Sequence, residues 1–443
     1  MKRLLIANRG EIALRILRAC RQSGIEVVSV YTPADENLRH LELSDETVCI
    51  GRGSYMDVGQ LLAAATTRGC DAVHPGYGFL SEHAAFAQET EDAGLTFVGP
   101  TAAQISAMGN KSGARRLLAD RGVPVLPGST DPVHDLDSAR AIAAKIGYPV
   151  MLKASHGGGG RGIQLVLSES DLDRAFAETA SQALTFFGDA ELYVEKFLAR
   201  ARHIELQIAG DGHGQVISLG ARDCSVQRRN QKIVEEAPPP GIEASKISAL
   251  AEVCCAALSD LRYRNLGTLE FLYQDDAFYF IEMNTRIQVE HPVTEAVTGI
   301  DLVSLQLEIA SNVELVLDQS NVVTSGHAIE CRINAEDEQY KPSPGLISEL
   351  RLPGGPGVRM DSHLYQGYRV PHDYDSLIGK LICVGADRSE ALARMSGALR
   401  ETKIGPIATN LDLHKKILSD PDFQVGAVST AYLEEAAFAG GHG

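Results

Sequence analysis

The chain has 443 residues, 44% hydrophobic and 22% charged, enough for two or three domains with cores of their own. Its net charge of −17, from 41 Lys and Arg against 58 Asp and Glu, speaks against a general nucleic-acid or anionic-membrane binder. No apolar run approaches the roughly 20 residues that span a bilayer, and the eight scattered cysteines form neither C-x-x-C nor zinc-type spacings, as expected of reduced thiols in a cytoplasmic protein.

Met1 to Asn8 begins like a signal peptide, but its apolar part is short and Arg9 and Glu11 interrupt it, so a buried first strand is expected. Short apolar strands follow at Leu4–Ala7, Val27–Tyr31, Thr47–Ile50, Ala72–His74 and Thr96–Val98, with helical spacing at Ile12–Gln22 and Gln60–Arg68. That alternation predicts a doubly wound α/β domain over residues 1–98. No G-x-G-x-x-G follows the first strand, so the dinucleotide fingerprint is missing. The Gly-rich loop His74–Phe79 is expected to serve close packing at a strand end. Connecting helices fill 99–124, and Pro124, Pro127 and Gly128 mark a boundary. Residues 125–197 read as a small α/β insert, in which the strands Pro149–Ala154 and Ile163–Val166 flank Ser155, His156, four glycines, Arg161 and Gly162. Beyond, strands dominate to residue 290 and again from 327 to 383, with helices near 245–260, 301–311 and 388–402. The further divisions are 198–311 and 312–443, and the fold class is α/β and α+β.

The glycine run joins two strands, whereas a Walker loop must feed a helix. A Gly-rich hairpin makes a mobile flap whose N–H groups can fold over phosphates, because no Cβ blocks approach. Lys153 beside it suits a phosphate-binding charge; Lys111 is equally well read as a solvated helix start. Glu195, Lys196, Phe197 and Leu198 form a hinge strand able to read an adenine edge or simply to connect domains. His203 alternates with apolar residues and on its own reads as a structural histidine. Cys224 reads as a plain small side chain. Arg222, Arg228, Arg229 and Lys232 are the one local basic cluster, a candidate anion site.

The most telling segment is Thr268–Tyr273 followed by Phe278–Arg286. Paired as a hairpin, it sets Glu270 opposite Glu282, two carboxylates that repel. A hard divalent cation, Mg²⁺ or Mn²⁺, removes that conflict. Asn284 and Arg286 share their face by alternation. If the chain stays extended, Gln288 and Glu290 continue it, with Arg286 placed to hold an oxyanion and Glu290 to take its proton. Arg332 is a charged residue inside a strand.

These residues resemble the ATP-grasp superfamily and, within it, biotin carboxylase. The similar segments are Ile6–Ala13, His74–Glu82, Lys153–Ser155 with its glycines, Arg222–Arg229, Phe280–Pro292 and Gly326–Glu336, and the Glu-Met-Asn-x-Arg-x-Gln-Val-Glu-His run is highly specific. The resemblance implies an N-terminal pre-ATP-grasp domain, an ATP-grasp fold with the flap domain as lid, and a C-terminal mixed β domain. It implies an ATP-dependent ligase that carboxylates biotin with ATP and bicarbonate by way of carboxyphosphate. Two divalent ions would sit on Glu270, Glu282 and Asn284. ATP would be bound by Lys111, Lys153 and His203, covered by Gly159 and Gly160, and its adenine received by Glu195 to Leu198 near Leu272. Lys232, Arg286, Gln288 and Val289 would place bicarbonate, Glu290 would be its base, and Arg332 would steady the biotin enolate.

Two positions depart from the family pattern: Asn230, a ribose neighbour where histidine is common, and His156, where glycine is common. No Ala-Met-Lys-Met biotinylation signature occurs, so biotin is expected on a separate carboxyl carrier protein, or else the chain is a piece of a longer subunit; a carboxyltransferase component and a homodimeric assembly are expected with it. The resemblance is strongest to the acetyl-CoA carboxylase subunit of fatty acid synthesis. The alternatives are the corresponding component of a propionyl-CoA, methylcrotonyl-CoA or pyruvate carboxylase, another ATP-grasp carboxylate–amine ligase, or a non-catalytic nucleotide sensor.

Overall fold

The computed structural model describes residues 1–51, 54–129, 131–154, 162–312, 315 and 317–436. Gly159, Gly160, His156 and the rest of the expected flap tip, 155–161, lie outside them. The N-terminal region forms a five-stranded parallel sheet in the order Glu46–Cys49, Glu26–Tyr31, Arg3–Ile6, Ala72–His74, Thr96–Phe97. These strands are short and apolar because helices cover the sheet, among them Gly10–Gln22 and Val58–Thr67. The helices Arg39–Leu43 and Ala84–Asp92 were not expected; five and nine residues are too few for a clear helical period.

Strand order reverses between Arg3–Ile6 and Ala72–His74, so the crevice beyond their carboxyl ends is the place where doubly wound sheets bind ligands. The His74–Phe79 loop lines it. There Asn8 Nδ2 donates to the carbonyls of Pro75 and Tyr77 at 2.7 and 2.8 Å. Gly76 has φ +63°, and a Cβ on it would lie 2.8 Å from Asn8 Nδ2. Gly76 therefore does serve close packing, whereas Gly78 has open space where a Cβ would stand.

Residues 150–196 build a three-stranded antiparallel sheet in the order Ile163–Val166, Val150–Ala154, Leu192–Lys196. One face packs Val150, Leu152, Val166 and Val194 against the helices Leu136–Ile146 and Glu169–Phe187. The other face is open: Ile163 and Leu165 are exposed there, alongside Met151, Lys153 and Glu195.

The largest element is an eight-stranded antiparallel sheet in the order Ala277–Asn284, Arg264–Gln274, Arg202–Asp211, Val216–Arg228, Gln231–Ala237, His327–Asn334, Leu377–Gly385, Val358–Ser362. In the strand Arg202–Asp211, Ile204, Leu206 and Ile208 enter a core that includes Leu250, Cys254 and Leu258 of the helix Ala244–Asp260. Each such buried side chain is worth about 2 kcal/mol. A one-residue slip would turn all three away from that core. The burial thus fixes the register that gathers His203, Glu205 and Gln207 on the opposite face. Replacing Gly76 with Ala should lower unfolding free energy by about 1–3 kcal/mol in denaturant titration, from left-handed strain plus the clash with Asn8; an unchanged midpoint would contradict the close approach.

Candidate active site

The hairpin register sets Glu270 opposite Glu282 and Thr268 opposite Asn284, with an irregularity just beyond Glu270. On its other side Glu270 faces Glu205, and Leu272 faces His203. The carboxylates do not stand as a bare repelling pair. Lys111 Nζ lies 2.5 Å from Glu282 Oε2. Glu270 Oε1 accepts from Lys232 Nζ at 2.9 Å and from the amides of Asn284 and Gln288, each at 2.8 Å. His203 Nε2 lies 3.1 Å from Glu270 Oε2 and 3.3 Å from Glu205 Oε1.

Lys232 is the hub. Its ammonium also donates to Glu205, and to Glu290 Oε1 at 2.8 Å. Arg222, fully buried, donates to Glu205 from Nε and Nη2, to Gln207, Thr268 and Thr294, and to Gln288 Oε1 at 2.5 Å. Burial alone would raise the carboxyl pKa values here. Lys232 and Arg222 instead hold Glu205 well below the usual carboxylate range, and Lys232 and His203 do the same for Glu270. Burial lowers the His203 imidazole, but Glu270 and Glu205 outweigh it and raise its pKa to about 9.

The segment after Asn284 is not extended. It turns, and at His291 it enters the helix His291–Thr298, so the alternation expected for Arg286, Gln288 and Glu290 does not apply. The turn still brings all three to the cluster. Arg286 Nη2 donates to Asn284 Oδ1 at 2.7 Å, and its Nε to Glu82 Oε2 at 2.8 Å. Glu290 Oε2 accepts from Arg332 Nη2 at 2.9 Å, while Arg332 Nε donates to Glu235 Oε1 at 2.5 Å. Burial pushes Glu290 up, but Lys232 and Arg332 pull it below its ordinary value. Burial raises Glu235 to about 7 in spite of Arg332.

The open face of the three-stranded sheet carries a second cluster. Glu195 meets Lys153 Nζ at 2.6 Å and Arg115 Nη1 at 2.5 Å. Lys196 points elsewhere: its ammonium donates to the carbonyls of Gly147 and Tyr148. The backbone N–H groups of Lys196 and Phe197 donate to Pro127 and Pro149. Phe197, Leu198 and Leu272 are half-buried.

The basic cluster does not exist as a patch. Arg222 is inside the sheet, and Arg228 pairs with Glu336 at 2.7 Å and lies over the Tyr340 ring. Arg229 and Asn230 are the exposed corner of a hairpin, both at positive φ (50° and 64°) as a tight two-residue turn requires. Asn230 makes no side-chain hydrogen bond to the cluster among the described residues. Of the four, Lys232 and Arg222 reach the cluster, meeting at Glu205. Cys224 is buried near Glu205 and Glu290, and burial pushes its thiol far up, so it stays a neutral small side chain.

Glu205, Glu82, Glu235 and Arg115 also belong to the site, beyond the residues the sequence pattern singles out. Glu205 carried a signal, since His203, Glu205 and Gln207 alternate along one apolar strand. The other three meet their partners only through tertiary structure.

Three family models tile the chain: the biotin carboxylase N-terminal domain over residues 1–105, the ATP-binding domain of the carbamoyl-phosphate synthase L chain over 110–317, and the biotin carboxylase C-terminal domain over 330–435. A biotin carboxylase of Pseudomonas aeruginosa is 52% identical over 441 residues, covering 98% of each chain. The chain belongs to the biotin carboxylase family. It is an ATP-dependent ligase with a mixed α/β fold. A pyruvate carboxylase subunit of Methanothermobacter thermautotrophicus is 46% identical, covering 98% of this chain and 89% of its own. The biotin carboxylase domain dimer of the Hydrogenobacter thermophilus 2-oxoglutarate carboxylase, solved with MgADP, ADP and bicarbonate, superimposes with a TM-score of 0.94 at 41% identity, covering 100% and 99% of the two chains.

In this biotin carboxylase, His203 should be an imidazolium at neutral pH. Because its pKa is raised from 6.5 to about 9, the stability it lends is complete below about pH 6.5 and fades as pH rises through about 9. Imidazole NMR titration of the nucleotide-free protein should give a midpoint near 9; one near 6.5 would contradict the Glu205–Glu270 cradle.

Proposed function

We propose that the cluster around Lys232 carries out the first half-reaction of an acetyl-CoA carboxylase: transfer of bicarbonate carbon to carrier-bound biotin at the expense of ATP. The observation that carries it is the joint grip on Glu290, with Lys232 on one carboxylate oxygen and Arg332 on the other. An anionic substrate placed between these two cations meets a base already deprotonated and positively flanked.

ATP would lie between the two clusters, its phosphates near Lys111, Lys153 and His203 and under Gly159 and Gly160. The apolar side chains of the open sheet face, with Phe197, Leu198 and Leu272, would give adenine a surface, with Glu195 and the backbone of Lys196 at its edge and Asn230 towards the ribose. Glu270, Glu282 and Asn284 fit Mg²⁺ or Mn²⁺, since two carboxylates and an amide oxygen on adjacent strands are hard donors. Two such ions, when bound, would neutralise phosphate charge.

Lys232, Arg286, Gln288 and Val289 would hold bicarbonate, and Glu290 would accept its proton. A bicarbonate oxygen attacks the γ-phosphorus, the bond to ADP breaks, and carboxyphosphate forms. Carboxyphosphate splits to CO₂ and phosphate, the phosphate takes the N1 proton of biotin, and N1 bonds to CO₂. Arg332 would stabilise the enolate oxygen of the ureido ring. A guanidinium carries five N–H donors, and the bonds to Glu235 and Glu290 use Nε and one on Nη2, so donors are left for that oxygen.

Biotin is proposed to arrive on a separate carboxyl carrier protein and to pass the carboxyl group to a carboxyltransferase component. A cytoplasmic homodimer belongs to the same proposal, supported by the dimeric Hydrogenobacter domain. No described helix is long and apolar enough to cross a membrane. Relatives named for pyruvate and 2-oxoglutarate carboxylation keep a keto acid as the second reading of the final acceptor.

With ATP, Mg²⁺ and bicarbonate, ADP release should rise on adding biotin; no biotin-dependent rise would overturn the proposal. Glu290→Gln should lower kcat about 10²-fold or more with little change in ATP affinity, and equal loss of both would remove its role as base. Acceptor choice follows from supplying the co-purifying biotinylated carrier and carboxyltransferase with acetyl-CoA or pyruvate and following labelled carbon.

A further inference from the structure

Glu290 sits on a turn that no sheet ladder supports, so its position must be set by other groups. The carbonyls of the run are held one by one. Arg286 Nη1 donates to the carbonyl of Ile287 at 3.1 Å. The backbone and Nδ1 of His291 meet that of Gln288 at 3.3 and 2.7 Å, and Val293 N–H donates to that of Glu290 at 3.3 Å. The Val289 carbonyl is different. It accepts from Lys380 Nζ at 2.8 Å, a group from the strand Leu377–Gly385, about 90 residues further along the chain.

Lys380 has a fully buried side chain, which is costly unless the ammonium is fully paired. Nζ has two partners among the described residues: the Val289 carbonyl and Glu11 Oε1 at 3.1 Å. Glu11 in turn accepts from the Tyr77 hydroxyl in the N-terminal crevice. The unpartnered carboxyl of Glu330 lies buried nearby, and Lys380 is the strongest attractive charge on it. In the strand register Lys380 stands opposite Arg332, the residue that grips Glu290 from the other side. A buried cation is therefore spent on one backbone carbonyl next to the residue read as the base.

We propose that Lys380 is a positioning residue for the reaction: by holding the Val289 carbonyl it fixes the turn that aims Glu290 at Lys232 and Arg332. It touches no substrate. The proposal rests on the reading of Glu290 as the base.

The test is a double-mutant cycle on the full-length protein, reading biotin-dependent ADP formation, with nucleotide affinity and unfolding temperature as controls. Lys380→Met should lower kcat about tenfold or more while the KM for ATP changes less than about threefold. In the Glu290→Gln background the same change should cost less than about twofold, because its route is already cut. Lys380→Gln, which keeps a donor for the carbonyl without the charge, should recover at least about half of the lost kcat. Glu11→Gln, which leaves the Lys380–Val289 bond in place, should cost less than about threefold. Multiplicative losses of Lys380→Met and Glu290→Gln, or a loss with Glu11→Gln as large as with Lys380→Met, would overturn the proposal by assigning Lys380 to general stability. So would loss of nucleotide binding by both Lys380 variants. Full turnover of Glu290→Gln alone would instead overturn the base assignment, a separate outcome.

Discussion

One buried ammonium organises this molecule's centre. Lys232 Nζ is bonded to Glu205, Glu270 and Glu290, three carboxylates from three separate segments. Without it, those negative charges would share a water-poor space and would be forced to take up protons. With it, and with Arg222 and Arg332 behind, Glu205, Glu270 and Glu290 are held below their ordinary pKa values despite burial. Such a network gains little net stability, because desolvation offsets attraction. What it fixes is a set of anionic oxygens preorganised beside cations, the feature on which the proposed phosphate and bicarbonate chemistry rests.

The eight-stranded sheet makes that possible by being two different surfaces. Ile204, Leu206 and Ile208 pack towards the helix Ala244–Asp260, and the intervening His203, Glu205 and Gln207 are left to face the cluster. The sheet continues through Glu235, Glu330, Arg332 and Lys380 on neighbouring strands. Residues from the ATP-binding and the C-terminal family regions therefore share one continuous ladder. The parallel N-terminal sheet adds its switch-point loop, from which Glu82 holds Arg286 and Tyr77 reaches Glu11.

The parts legible in the sequence were those governed by local period. The hairpin itself was legible from its two apolar strands and short polar loop, but setting Glu270 opposite Glu282 also takes the irregularity just beyond Glu270, which the pattern does not mark. The parallel N-terminal sheet and the helices at 244–260, 302–310 and 388–401 were legible for the same reason. What local pattern could not show was the company each charge keeps. Arg222 and Arg228 look like a basic run, yet their partners Glu205 and Glu336 are 17 and 108 residues away. Arg286, Gln288 and Glu290 would share one face only if extended; their segment's carbonyls are taken by side chains and by a helix start, so it turns. Lys380 gave no sign at all: one lysine in an apolar strand carries no local mark of the carbonyl it will meet.

If the cluster acts as proposed, Lys232 serves the chemistry and not merely the fold. Lys232→Met keeps the side chain's volume and removes its charge. Isothermal titration with MgATP and labelled-bicarbonate transfer to biotin, measured on the same preparation, separate the two roles. Nucleotide affinity should stay within about fivefold of the parent while carboxyl transfer falls about 10²–10³-fold. Transfer at the parent rate would contradict a role in the chemistry.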